Sequence, residues 1–251
     1  MSNSESNTKY ESLLQENEYL KNQLKLVQES SALLEQFAYS VSHDLQEPLR
    51  MVTGFLQLLQ VEQDTQKKVE YFGFALDGAN RMKNLIKDLL NYSLVGSLDE
   101  ASEEVDVAEL VKDTLRVYNR LIQTRNAAVK ISEMPVIKGV RSLITQVFDN
   151  LISNALKYND KPQPEVNISF FETATHTVFS IQDNGIGINS DKFDFIYQPF
   201  KRLHAKHEYS GNGIGLAICK KIAEKHQGTS WVESNPGEGA KFFFSIKKQN
   251  D

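Results

Sequence analysis

The sequence predicts two joined architectures: an α-helical hairpin led in by a coiled coil, and an α+β sandwich with helices on one face of a mixed sheet. Three observations carry this expectation. Apolar residues first recur in heptads, then at helical spacing on two stretches separated by a short polar run. Beyond an acidic stretch near residue 100 the pattern changes to short alternating runs interleaved with helices. The composition agrees: 251 residues with 40% apolar and 24% charged side chains have the balance of a globular chain with room for one or two domains.

Leu13, Leu20, Val27, Leu34 and Val41 form one seven-residue series, and Tyr10, Asn17, Leu24, Ser31, Ala38 and Leu45 form a second. A seam of this kind, sustained over about four heptads, is buried by another copy of itself. Residues 1–35 are therefore expected as a coiled-coil segment of a parallel homodimer, with Asn17 at an a position helping to fix register. In this register Val41 is a d position and His43 an f position, directed away from the seam towards water.

Ser42–Arg50, SHDLQEPLR, interrupts the helical pattern with a histidine, two acids and a proline. Pro48 removes a helical hydrogen bond and predicts a kink. Apolar spacing resumes at Val52, Phe55, Leu56 and Leu59, and the polar run Glu62–Lys68 predicts a loop. A second helix is expected from about Val69 to Val95, with Phe72, Leu76, Ala79, Met82, Ile86, Leu89 and Leu90 on one face. Residues 36–96 thus read as an antiparallel hairpin, and two hairpins make a dimeric four-helix bundle.

The acidic run GSLDEASEE at Gly96–Glu104 marks the boundary: a linker over 97–104 and a second domain over 105–251. In that domain the patterns predict helices over Val107–Arg120, Ser142–Lys157 and Ile214–His226. Strands are expected over Ala127–Ser132, Val166–Phe171 and Thr177–Gln182, with a closing hairpin of Thr229–Ser234 and Lys241–Lys247.

Several function classes are disfavoured. A net charge of −5 offers no broad basic surface, so nucleic acid is not an expected partner and any anion must be held locally. The single cysteine, Cys219, excludes an internal disulfide and fits a reducing compartment. No apolar run approaches the ~20 residues of a spanning helix, and a cytoplasmic location is expected. His176, His204, His207 and His226 show no metal-like spacing and read as solvated or capping groups. Cys219 and Trp231 read as core residues.

Three segments of the second half can carry chemistry. In QVFDNLISNALKY, Asn150, Asn154 and Lys157 share a helix face with Tyr158 beside them. They offer an amide oxygen for a hard cation such as magnesium and a positive charge for phosphate, although an ordinary polar helix face shows the same pattern. In DNGIGI, Asp183–Ile188, Gly185 and Gly187 allow a ligand close to the backbone, and the Asp183 carboxylate can accept from an exocyclic amine. In GNGIGLAICKKI, Gly211, Gly213 and Gly215 open a helix whose unpaired N–H groups suit phosphate; a tight turn before a helix would explain them equally. Between these segments, Phe193–Ser210 reads as a lid anchored by Phe195, Tyr197 and Phe200, able to bring Lys201 or Arg202 to a terminal phosphate.

In this order the segments resemble the sensor histidine kinase core over about residues 36–247. Ser42–Arg50 is similar to the phosphoacceptor box, in the form found in phytochrome-associated kinases. Gln146–Tyr158 is similar to the asparagine box, Asp183–Ile188 and Gly211–Leu216 to the two glycine boxes, and Phe193–Arg202 to the phenylalanine box. The resemblance implies a dimerisation and phosphotransfer hairpin followed by a Bergerat-type ATP-binding domain, with ATP and Mg2+ as cofactors. It implies that His43 accepts the phosphoryl group while Asp44 orients the imidazole and takes its proton. Asn154 would hold magnesium with Asn150 in support, Lys157 would contact phosphate, Tyr158 would flank the adenine and Asp183 would bind its amino group. Gly185, Gly187, Gly211, Gly213, Gly215 and Leu216 would shape the lid and phosphate contacts, with Arg202 near the γ-phosphate.

The implied function is ATP-dependent autophosphorylation at His43 and transfer to an aspartate of a separate response regulator receiver domain, with input from an upstream sensor domain or protein. A dimeric signalling adaptor with a structural nucleotide site is the alternative. One departure stands out. Gln46 and Glu47 occupy positions where many members carry a basic residue and then threonine or asparagine. The small polar residue is implicated in phosphatase chemistry, so the resemblance carries over the kinase chemistry and not that activity.

Overall fold

The computed structural model describes residues 41–95, 101–203, 209 and 211–248, together with helical positions 17, 20, 21, 23–25 and 38. Most of the expected coiled coil, residues 96–100 of the acidic run, and His204, His207 and Ser210 of the lid lie outside the described residues. The chain forms two compact units, Met1–Met82 and Lys83–Asp251.

In the first unit, helix α1 spans 41–61 and stays helical through Pro48. Helix α2 spans Thr65–Leu94, starting four residues before the expected Val69. The reason is local capping. The Asp64 carboxylate accepts from the N–H groups of Gln66 (2.7 Å) and Lys67 (3.2 Å), while Glu62 accepts from those of Gln63 (2.9 Å) and Asp64 (3.0 Å). The N–H groups of Gln66 and Lys67 are donors that a helix start otherwise leaves unpaired. The two helices approach closely at Gly78, where a Cβ would lie 2.8 Å from Val52 Cγ2 and 3.1 Å from the Pro48 carbonyl oxygen. Phe55 packs against Phe74 and Tyr71 at ring distances of 4.8 and 5.8 Å. Leu56, Leu58, Val61, Phe72 and Leu76 remain exposed.

The second unit takes in the last turns of α2. Strand β1 (Glu103–Asp106) lies partly in the acidic run expected as linker and pairs antiparallel with β3 (Val136–Gly139), also missed by pattern. Both are four residues long, and in β1 just one side chain, Val105, is buried, too little alternation to detect. Helix α3 (Val107–Val117) begins where Asp106 accepts the Glu109 N–H at 3.0 Å. It stops three residues short of the expected Arg120 because the Tyr118 N–H turns back to the Leu115 carbonyl, and α4 (Asn119–Thr124) follows.

The main sheet runs β2-β4-β5-β7-β6, built from Ala128–Ile131 (β2), Glu165–Glu172 (β4), His176–Asp183 (β5), Ser230–Ser234 (β6) and Ala240–Lys247 (β7). Within it β2 and β4 are parallel and the other neighbours antiparallel, so the sheet is mixed as expected. Helices α5 (Arg141–Lys157) and α6 (Gly215–Lys225) pack on it through a core centred on Phe148, Phe179 and Phe244. Phe148 meets both other rings edge-on at 5.5 and 5.2 Å. Cys219 is buried in this core, and burial pushes its thiol up to about 12. Trp231 is not in it. Val232 points inward opposite Phe242, so the period-two rule turns Trp231 to the other face, where it stacks on Phe243 at 4.8 Å.

Candidate functional site

The buried stripe of α5, from Leu143 to Leu156, presses this helix onto the sheet and leaves its polar face outward. That face, the loop after β5, residues 196–203 and the loop opening α6 enclose a cavity of about 320 Å3 in the second unit. Its wall contains Asn150, Asn154, Lys157, Tyr158, Asp183, Gly187, Arg202, Gly211, Gly213, Gly215 and Leu216. Gly185 is absent from the wall. A Cβ there would lie 2.1 Å from the Tyr158 carbonyl oxygen, which the neighbouring Ile186 N–H bonds at 3.2 Å. Gly185 thus lets the loop after β5 seat against the end of α5.

Asp183 sits at the floor. Its Oδ1 accepts from the N–H groups of Gly185 (2.8 Å) and Ala240 (3.2 Å), which leaves Oδ2 as the acceptor for a ligand. Burial nevertheless raises the carboxyl to about 6, because removing a charge from water outweighs the two bonds. At the other end Lys157 Nζ donates to Tyr158 Oη at 2.8 Å. Burial, with the Arg202 charge in addition, lowers this ammonium to about 8. The Tyr158 ring packs 4.9 Å from that of Tyr209, and Arg202 donates to the Tyr209 carbonyl.

The glycine loop is shaped for close approach. Gly213 has φ +70, a conformation that side-chain-bearing residues rarely adopt, and its carbonyl accepts the Phe200 N–H at 2.9 Å. Asn150 lies beneath the start of α6: a Cβ on Gly215 would lie 3.0 Å from its Oδ1, and its buried Nδ2 has no hydrogen-bond partner. No group of three or more His, Cys, Asp or Glu able to hold a metal occurs among the described residues. A hard cation here would find amide oxygens in the wall, with the ligand's own phosphates to complete its shell. The residues fit that requirement, since magnesium takes few protein oxygens and Asn154 presents an amide.

Several wall residues escaped the sequence reading. Ile186, Ile188, Ile196, Ala240 and Phe242 supply apolar surface. Lys201, expected with Arg202 as a cation of the lid, is in the wall as well. Ile196, buried, anchors the lid segment where Phe195 was expected; Phe195 is half-exposed with Lys201 Nζ 5.7 Å over its ring. Asp88, from α2, joins the wall and accepts from Asn212 Nδ2 at 2.8 Å. No local pattern signals a contact between residues 124 positions apart.

His43 and Asp44 belong to the first unit. The His43 side chain is 67% exposed, as an f position predicts, and its Nδ1 lies 3.5 Å from Asp44 Oδ1. The Ser42 hydroxyl donates to the Ala38 carbonyl at 2.9 Å.

Comparison with known proteins shows the family. Residues 33–97 match the His Kinase A (phospho-acceptor) domain, and residues 139–250 match the histidine kinase-, DNA gyrase B-, and HSP90-like ATPase family. The chain is 40% identical over 237 residues to the phytochrome-like protein Cph1 of Synechocystis sp., covering 93% of this chain and 32% of that protein. It is 39% identical over 223 residues to cyanobacterial phytochrome A of Nostoc sp., covering 88% of this chain and 29% of the relative. The chain thus spans about a third of the length of the curated relatives it matches. Among solved structures, histidine kinase ThkA in complex with the response regulator protein TrrA aligns with a TM-score of 0.70 at 23% identity, over 88% of this chain and 64% of that one, a likeness of fold. A phosphoacceptor domain followed by an ATPase domain of this kind, in this order, makes the chain a member of the sensor histidine kinase family.

Proposed function

We propose that this chain is an ATP-dependent protein histidine kinase that phosphorylates His43 and passes the phosphoryl group to an aspartate on the receiver domain of a separate response regulator. One observation carries the proposal: a single cavity gathers a buried carboxylate, an amide pair, three cations and a glycine loop, in a chain that also exposes a histidine beside an acid.

Asp183 Oδ2 accepts from the adenine amino group while Ile186, Ile188 and Tyr158 cover the base. Lys157 and Arg202 face the phosphates, and the loop over 211–215 offers backbone N–H groups to them. Mg2+, held through Asn154 with Asn150 behind it, supplies charge neutralisation on the phosphate oxygens when bound.

At the acceptor, the tautomer with its proton on Nδ1 places that proton towards Asp44 and leaves the lone pair on exposed Nε2. Nε2 attacks the γ-phosphorus; the N–P bond forms as the bond to the bridging oxygen breaks, and ADP leaves with that electron pair. Asp44 stabilises the charge gained by the ring and takes the Nδ1 proton. In the second transfer the N–P bond breaks in favour of an aspartate oxygen on the receiver. The chain acts as a homodimer in the cytoplasm, its input coming from an upstream sensor domain or protein. No helix among the described residues is long and apolar enough to cross a membrane.

Wild type, His43→Gln and Asn154→Ala are incubated with γ-labelled ATP and Mg2+. Acid-labile, alkali-stable label is expected on wild type alone. Label on His43→Gln would remove His43 as the acceptor, and an unlabelled wild type would favour a dimeric adaptor with a structural nucleotide site.

A further inference from the structure

Asp88 and Asp183 are the acids in the described wall of the cavity, and Asp88 has no part in the mechanism above. Its Oδ2 holds Asn212 Nδ2 at 2.8 Å, and Asn212 lies in the glycine loop between Gly211 (φ +134) and Gly213 (φ +70). Lys157, Lys201 and Arg202 share the same wall. The turn that follows Asp88 is anchored: Lys221 Nζ on α6 donates to the Tyr92 carbonyl at 2.8 Å and lies 4.8 Å over its ring, and Val95 is buried in the core.

We propose that Asp88 is an affinity-setting latch on the nucleotide site, which holds the glycine loop through Asn212 and is displaced when phosphate groups enter. This deepens the nucleotide reading and rests on it. The physical reason is twofold. A carboxylate in the wall of a half-enclosed cavity repels phosphate more strongly than it would in open water. The loop that offers N–H groups to phosphate is the loop that Asp88 tethers, so the tether resists the adjustment that a bound triphosphate requires.

By linkage, whatever lifts the last turns of α2 from the loop tightens nucleotide binding, and nucleotide loosens that contact by the same factor. Asp88 thus makes nucleotide affinity a property of the last turns of α2 as well as of the sheet and its helices.

The test uses the full chain and measures equilibrium binding of fluorescent ATP and ADP, in EDTA and in Mg2+. Asp88→Ala removes charge and tether, Asp88→Asn keeps an oxygen acceptor for Asn212 while removing the charge, and Asp77→Asn alters an exposed acid of α2 outside the wall. Asp88→Ala is expected to tighten both nucleotides by about five-fold or more, with and without magnesium, and Asp88→Asn to tighten them by less. Asp77→Asn is expected to bind as wild type does.

Unchanged or weaker binding by Asp88→Ala overturns the latch. Weakening confined to Mg2+ also overturns it, by making Asp88 a cation ligand. If Asp88→Ala does not fold, the near-isosteric Asp88→Asn decides, and no tightening there overturns the proposal. A wild type that binds neither nucleotide overturns the nucleotide reading itself, whereas a binding wild type with indifferent Asp88 variants overturns the latch alone.

Discussion

In the proposed nucleotide site, two demands pull the chemistry of Asp183 in opposite directions. Burial favours the protonated form, yet an amino group needs the ionised acceptor. Because Oδ1 is occupied by the Gly185 and Ala240 N–H groups, the amide introduced by Asp183→Asn would keep its oxygen there and turn its NH2 group towards the ligand. Donor would then face donor. Asp183→Asn should therefore weaken ATP by about ten-fold or more, since an unmet buried donor costs about 1–3 kcal/mol. The pH dependence has two limbs. Protonation of Asp183 as pH falls through about 6 removes the acceptor, and deprotonation of Lys157 as pH rises through about 8 removes a positive charge facing phosphate. ATP affinity, followed by titration from pH 5 to 9, should be highest between these values, and in Asp183→Asn the acid limb should disappear. An acid limb that persists in that variant would assign it to another group.

At the scale of elements, His226 ties the end of α6 to the start of α5. Its Nδ1–H donates to the Ile222 carbonyl at 2.8 Å, and Nε2 accepts the Val140 N–H at 3.2 Å. Val140, at the N-cap of α5, has no side-chain oxygen, so the neutral imidazole does the capping instead. Protonation would put a second N–H against the Val140 N–H. Burial accordingly lowers the imidazole below its usual 6.5 in the folded chain. The sign follows from linkage: the stabilisation is present above 6.5 and lost as pH falls through the lower folded value. Asp183, raised in the folded state, runs the other way; its contribution is present below 3.8 and lost as pH rises through about 6. Comparing wild type with His226→Gln cancels the Asp183 contribution. The melting temperature advantage of wild type over His226→Gln is expected to shrink between pH 7.5 and pH 5.5, and a constant difference would mean that the neutral ring is not the cap.

For the whole molecule, the first unit leaves Leu56, Leu58, Val61, Phe72 and Leu76 exposed, apolar surface that a lone hairpin cannot bury. In the proposed homodimer a second hairpin covers part of it. Leu56→Glu combined with Phe72→Glu is expected to yield a monomer in sedimentation equilibrium while leaving nucleotide binding by the second unit intact. A dimer that survives both charges would move the interface elsewhere.

Much of this was legible in the sequence, and the division has a physical basis. Periodicity reports which face of a segment is buried, so both hairpin helices, α5, α6 and the strands of the main sheet could be read, and the exposure of His43 followed from a heptad count. Residue type at short spacing reports local chemistry, so Asn150, Asn154, Lys157, Asp183 and the glycine loop could be selected as candidates. What neither signal carries is who meets whom across the fold. The pairing of β1 with β3, the turn of Trp231 away from the core, the role of Gly185 under Tyr158, the neutral cap at His226 and the reach of Asp88 to Asn212 each depend on a partner distant in sequence. Periodicity and local spacing thus set out most of the elements and the chemical repertoire. The tertiary structure decided which of those groups share one cavity, because that depends on how the sheet and helices bring distant side chains within hydrogen-bond range.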